Sequence, residues 1–150
     1  MAQVGPEGPP AGWRLEASPF YRILEYSEGG GMVRHSDGNN AHPSRPDVRT
    51  QFTMLVYLST CADGGGATSL FRTKKAKQSR KPPQEGADTS GDSDDLIESV
   101  APVRNSALLF PHAWPHTGCE VRGSKKIALR AELYLVEDTA RPLSSPAGLE

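Results

Sequence analysis

Fifteen glycines and thirteen prolines in 150 residues interrupt the chain too often for a helical bundle and predict an all-β domain of short strands joined by turns. Two further observations agree. Few segments are long and periodic, and the strongest apolar runs are β-branched, aromatic or strictly alternating. At 36% hydrophobic content the chain is long enough for one domain with a real core and too short for two.

The leader over residues 1–17 is rich in Pro and Gly and is expected to be disordered, with order beginning near Ser18. Phe20 to Tyr26 carries strand-forming residues in partial alternation, and Glu28-Gly29-Gly30-Gly31 breaks it. Met32 to Asp37 reads as a short second strand. Residues 39–46 have turn composition, and His42 within them reads as a solvated loop residue. Gln51 to Leu58 is the strongest strand, with Thr53, Leu55 and Tyr57 on one face. The glycines at 64–66 turn the chain into a short segment over 68–71. They are not a phosphate loop, since no Gly-Lys-Ser/Thr and no helix follow them.

Residues 72–98 break the pattern. Lys74, Lys75, Lys77, Arg80 and Lys81 give way to Glu85, Asp88, Asp92, Asp94 and Asp95, with no aromatic between, which predicts a disordered charged insertion. Order returns over 99–103, turns at Arg104-Asn105, and continues as strands over 106–110, 116–121 and 126–135. The last alternates cleanly, with Ile127, Leu129, Ala131, Leu133 and Leu135 opposite Lys126, Ala128, Arg130, Glu132 and Tyr134. The segment 137–150 is rich in Pro and Ser and is expected to be a flexible tail, which leaves 18–136 as the domain. These make about eight short strands, the number that a jelly-roll or double-stranded β-helix of cupin type needs.

With 17 basic and 18 acidic side chains the net charge is -1, so no global field favours nucleic acid or an anionic membrane. No run of about 18 apolar residues and no basic-then-apolar leader is visible, so a cytoplasmic or nuclear protein is expected. Cys61 and Cys119 lack zinc-finger spacing and are expected to be free thiols.

The chemistry is concentrated in His35-Ser36-Asp37 and in the stretch around His116. On an extended segment residues i and i+2 share a face, so His35 and Asp37 would point at one ion while Ser36 points away. His116, brought to them across the mouth of a β-sandwich, would complete a set of two imidazoles and one carboxylate. Such a set leaves open coordination positions and suits a non-haem Fe(II) oxygenase. His112 competes with His116 for the third place, since both lie near a strand end.

The ordered pattern Tyr26-x4-Gly31-x3-His35-x-Asp37, Thr53-x3-Tyr57-Leu58, Gly65-Gly66-Ala67-Thr68, Leu108-Leu109-Phe110, His116-x-Gly118 and Lys126-x3-Arg130 resembles the prolyl 4-hydroxylase-type family of 2-oxoglutarate and Fe(II)-dependent dioxygenases. The resemblance implies that His35, Asp37 and His116 hold iron. It favours His116 over His112, because His116 stands at the family's spacing before Lys126. It further implies that Lys126 binds the distal carboxylate of 2-oxoglutarate, that Tyr57 hydrogen-bonds this cosubstrate and that Tyr26 lines the pocket. Arg130 shares the face of Lys126 about 13 Å along the strand and is the reserve for that carboxylate.

The activity so implied is hydroxylation of a substrate C–H bond, foremost a peptidyl proline or another protein side chain, with release of succinate and CO2. Its partners are 2-oxoglutarate, O2 and a protein or peptide, with ascorbate as an auxiliary reductant; no membrane or nucleic-acid partner is expected. The same chemistry on a small molecule or a nucleic-acid base, and a catalytically silent metal-binding domain, are the alternatives. Met32, Ala67 and Asn105 depart from common family residues, and Asn105 replaces a turn glycine with a residue that tolerates the left-handed conformation. Family members carry helices ahead of the first strand, and the short leader here implies a core without them.

Overall fold

The computed structural model describes residues 8–61, 65–72 and 96–138. Nine strands and no helix occur among them: β1 (Trp13–Tyr26), β2 (Met32–His35), β3 (Ala41–His42), β4 (Arg45–Tyr57), β5 (Thr68–Phe71), β6 (Leu96–Val100), β7 (Ala107–Pro111), β8 (His116–Gly118) and β9 (Lys126–Glu137). No helix of the described residues is long and apolar enough to cross a membrane. Cys61 and Cys119 are free thiols.

The strands form two antiparallel sheets. One runs β1-β9-β4-β3, with β7 pairing β4 beyond the reach of β3; the other runs β2-β8-β5-β6. This is the expected jelly-roll architecture. Leu55 and Tyr57 of β4, Phe110 of β7 and Ala128 of β9 pack with Leu70 of β5 to make the core between the sheets. A second cluster, Phe52, Leu133 and Leu135 with Trp13, Leu15 and Met54, lies on the far face of the larger sheet.

Several element boundaries differ from the sequence expectation. Order starts before Ser18: Trp13 to Ala17 pair with Glu137 to Leu133, and the register slips between Ala17 and Tyr21. Pro19 stands in that gap, where it has no N–H to give to a ladder, and a bulge absorbs it. The expected turn over 39–46 contains β3 and the start of β4. His42 is accordingly not a solvated loop residue, since its Nε2 lies 2.9 Å from Glu16 Oε1 and its ring packs 4.8 Å from that of Tyr134. Leu96 to Glu98 belong to β6, not to the charged insertion, because this apolar start completes the ladder with β5. Glu137 is likewise still strand. The remainder of the expected insertion, 73–95, lies outside the described residues, as do 1–7 and 139–150.

Asn105 occupies the left-handed region with φ 68°, as its turn position predicts. Its N–H donates to the carbonyl of Tyr57 at 2.9 Å and so ties the turn to the end of β4. Gly66, with φ +70°, holds a backbone conformation that strains any side chain, and a Cβ there would be crowded, 3.2 Å from Cys61 Sγ and 3.4 Å from Lys126 Cδ.

Candidate metal centre

Strands β2 and β8 are antiparallel neighbours in which His35 stands opposite His116, which brings residues 81 positions apart in sequence to ring centroids 4.3 Å apart. Asp37 is not on the same strand as His35. Strand β2 ends at His35, and Asp37 follows in a segment without regular structure, its N–H donating to the carbonyl of His112 at 3.2 Å. His35 and Asp37 are thus brought together without sharing the face of one strand. His35, Asp37 and His116 each offer one ligand atom, all within 4.8 Å of one another. His35 Nε2 lies 3.7 Å from Asp37 Oδ1, and His116 Nε2 lies 3.8 Å from Asp37 Oδ2.

Both histidines present the correct nitrogen. His35 Nδ1 is 2.8 Å from the carbonyl of Val33, and His116 Nδ1 is 3.1 Å from that of Trp114. A carbonyl only accepts, so each Nδ1 is the donor, and in the neutral form of each ring Nε2 has its lone pair toward the centre. Burial pushes the pKa of His116 below its ordinary value, outweighing the opposite pull of the Trp114 carbonyl and Asp37. The ring is thus held neutral, the form a metal needs. Phe110 packs against it at 4.7 Å.

Asp37 is held from two sides. Thr53 donates its hydroxyl to Oδ2, and Arg130 reaches Oδ1 at 2.8 Å. Burial works to raise the Asp37 pKa, but the Thr53 hydrogen bond and the Arg130 charge prevail and hold it below the usual carboxylate range. Arg130 also pairs with Glu132 at 2.9 Å, and Glu132 in turn accepts from Asn40 at 2.6 Å.

Beside the triad opens a cavity of about 420 Å³, lined by Leu24, Tyr26, Thr68, Lys126 and Arg130 among others. That volume falls within the roughly 300–1,000 Å³ of ligand pockets. Lys126 is 4% exposed, yet among the described residues no carboxylate pairs with it. Its Nζ reaches only Thr68 Oγ1, at 3.2 Å, and lies 5.8 and 5.6 Å from the rings of Tyr26 and Tyr57. Burial depresses its pKa, against weaker support from the two cysteines. Tyr57, fully buried, donates its hydroxyl to the same Thr68 oxygen at 2.9 Å. Thr68 Oγ1 thereby accepts twice, which leaves its own proton to donate elsewhere.

The donor set fits Fe(II): two imidazoles and one carboxylate on one side, with an open cavity on the other. A buried cation without an anion fits the far carboxylate of a dicarboxylic cosubstrate, since an unpaired buried charge is costly. Of the residues singled out in the sequence, Tyr26, His35, Asp37, His116, Lys126 and Arg130 line this cavity, whereas Tyr57 is fully buried and reaches it only through its hydrogen bond to Thr68. His112 does not line it either: its Nδ1 is 3.1 Å from Asn39 Oδ1, and its buried Nε2 has no hydrogen-bond partner among the described residues. Glu132, Asn40 and the role of Thr53 were missed. Thr53 shares the face of Leu55 and Tyr57, so strand alternation alone could have placed it; nothing local marks Asn40.

Comparison with known proteins agrees with the geometry. The family model described as the 2OG-Fe(II) oxygenase superfamily matches residues 21–131. Among solved structures, the chain is similar to the viral collagen prolyl hydroxylase of Paramecium Bursaria Chlorella virus-1 in its 2OG complex, at 19% identity and TM-score 0.52, covering 83% of this chain and 60% of that one. A Pseudomonas putida prolyl-4-hydroxylase gives 19% identity and TM-score 0.50, covering 76% of this chain and 51% of that one. The chain thus spans between half and three-fifths of the length of these relatives. No curated protein matches it by sequence.

Proposed function

Because the chain belongs to the 2-oxoglutarate and Fe(II) oxygenase superfamily, we propose that it hydroxylates a C–H bond of a peptide or protein, a prolyl residue foremost, while 2-oxoglutarate and dioxygen become succinate and carbon dioxide. The observation that carries this reading is the open His35–Asp37–His116 triad in the same cavity as a buried lysine that lacks an anion. The peptidyl substrate draws on the fold shared with viral and bacterial prolyl hydroxylases.

In this reading His35 and His116 bind the metal through Nε2 and Asp37 through its carboxylate. Fe(II) held there would supply the redox chemistry that activates dioxygen with 2-oxoglutarate as the reductant. The chain's own residues do the rest. Lys126 neutralises the distal carboxylate of the cosubstrate, and Thr68, accepting from both Tyr57 and Lys126, turns its remaining proton toward the same group. Leu55, Phe110 and Ala128 wall the cavity and exclude water from the reacting groups. Tyr26 sits opposite Lys126 across the β1–β9 pair and closes the cosubstrate end. Arg130, committed to Asp37 and Glu132, is left as a neighbour of the metal rather than the cosubstrate's anchor.

The test is succinate formation from 2-oxoglutarate with Fe(II) and a proline-rich peptide library, read together with mass spectrometry for a hydroxylated peptide. The wild-type chain gives both signals and His35→Ala gives neither. Failure of the purified chain to bind a divalent metal removes the basis of the proposal. Turnover that no peptide stimulates moves the substrate to another class.

A further inference from the structure

Arg130 presents a physical problem that its neighbours answer. A guanidinium 2.8 Å from a metal-binding carboxylate orients that carboxylate, but its positive charge opposes a dication. The arginine is 15% exposed on its side chain, so water screens this opposition poorly. Glu132, 12% exposed, faces the guanidinium on its other side, with Nη1 2.9 Å from Oε1. Glu132 is itself fixed by Asn40 through Oε2, and Thr50 donates to the same oxygen at 3.3 Å. Burial works to raise the Glu132 pKa, but the Asn40 hydrogen bond, Arg130 and His112 keep it below the ordinary range, so its charge is present at neutral pH.

We infer that Arg130 and Glu132 form a charge-neutral prop for the metal centre: Arg130 is a positioning residue that fixes the Asp37 carboxylate, and Glu132 cancels the charge that would otherwise repel the metal. The inference rests on the triad as the metal site. It concerns metal affinity before any cosubstrate is present, which separates it from a role of Arg130 in gripping 2-oxoglutarate.

Two substitutions on one strand test it. Glu132→Gln leaves Asp37 as the one carboxylate balancing Arg130 among the described residues, and Mn(II) binding, titrated by electron paramagnetic resonance without cosubstrate, weakens about tenfold or more, the scale at which groups supporting a metal's ligands act. The double variant R130Q/E132Q removes the charge together with its counter-ion while Thr53 still holds Asp37, and affinity returns to within about threefold of wild type, the remaining loss being the share of Arg130 in positioning that carboxylate. A merely structural role for Glu132 gives no such rescue, because the second substitution removes a further partner. Wild-type affinity in Glu132→Gln, or a double variant as weak as the single one, overturns the inference. If Glu132→Gln does not fold, the double variant decides alone: a tenfold loss there also overturns it. Absence of Mn(II) binding by the wild-type chain refutes the triad itself, a different result from either.

Discussion

Replacing Lys126 with Met separates affinity from stability in a way that few substitutions do. The lysine is buried, its ammonium reaches only the Thr68 hydroxyl at 3.2 Å, and among the described residues it has no ion pair. If it anchors the distal carboxylate of 2-oxoglutarate, the variant loses one charge-assisted hydrogen bond, worth roughly 1.5–3 kcal/mol net. At about 1.4 kcal/mol per factor of ten, the dissociation constant rises roughly ten- to a hundredfold. Calorimetric titration of 2-oxoglutarate into Mn(II)-loaded protein reads this without turnover. The metal-free chain, by contrast, becomes more stable, because Met fills much of the same space without a buried charge. The pH dependence follows from the direction of the shift. Burial lowers the folded pKa of Lys126 below its ordinary 10.5, so its destabilising effect is full below the folded value. As pH climbs from there toward 10.5, the unfolded chain holds more protons than the folded one and stability rises. The Met variant lacks that rise. An unchanged 2-oxoglutarate affinity, or a metal-free variant less stable than wild type, refutes the reasoning.

Thr53→Val keeps shape but deletes the hydroxyl that donates to Asp37, and weakens Mn(II) binding about ten- to a hundredfold; an unaltered titration would remove Thr53 from the site. Asn105→Val forces a β-branched side chain into φ 68° and costs about 1–2 kcal/mol in urea unfolding, whereas Asn105→Gly is close to neutral. Glu16 has a lowered pKa, first through His42 and also through Arg14 and Arg45, against a smaller loss from burial. Its stabilisation is present above the ordinary 4.5 and is lost as pH falls through the lower folded value. Glu16→Gln therefore destabilises the neutral protein by at most about 1 kcal/mol, the scale of exposed ion pairs, and leaves the acid-state stability unchanged. Thermal melts at the two pH values distinguish these outcomes.

The all-β class and the cores of β4, β7 and β9 were legible because alternation marks them, and the residues His35, Asp37 and His116 that spacing singled out are ones the fold brings together. Strand β9 shows where such reading needs a physical correction. Its five apolar alternates, Ile127 to Leu135, look like the core face, yet Lys126, Ala128, Arg130 and Glu132 are the ones that line the cavity. The interior of this fold is a binding site, so its inner face carries charge and the outer one carries the second apolar cluster. Ala41–His42 was hidden because two residues are too few to show an alternation, and Trp13 to Ala17 because its stability comes from partners far along the chain, Glu137 to Leu133, and not from local propensity. Leu96 and Ile97 were absorbed into a charged run for the same reason, since only pairing with β5 defines them as strand. In sequence His116 is favoured over His112 through its spacing to Lys126; in the fold His116 is the one that stands opposite His35 on the neighbouring strand.

The most direct test of the account is a crystal structure grown with Mn(II) and a non-reactive 2-oxoglutarate analogue, with the metal located by its anomalous scattering. The account predicts Mn(II) on His35, Asp37 and His116, with the far carboxylate of the analogue against Lys126 and Thr68. Metal bound through His112 or at another place, or the analogue's carboxylate seated on Arg130, would contradict it.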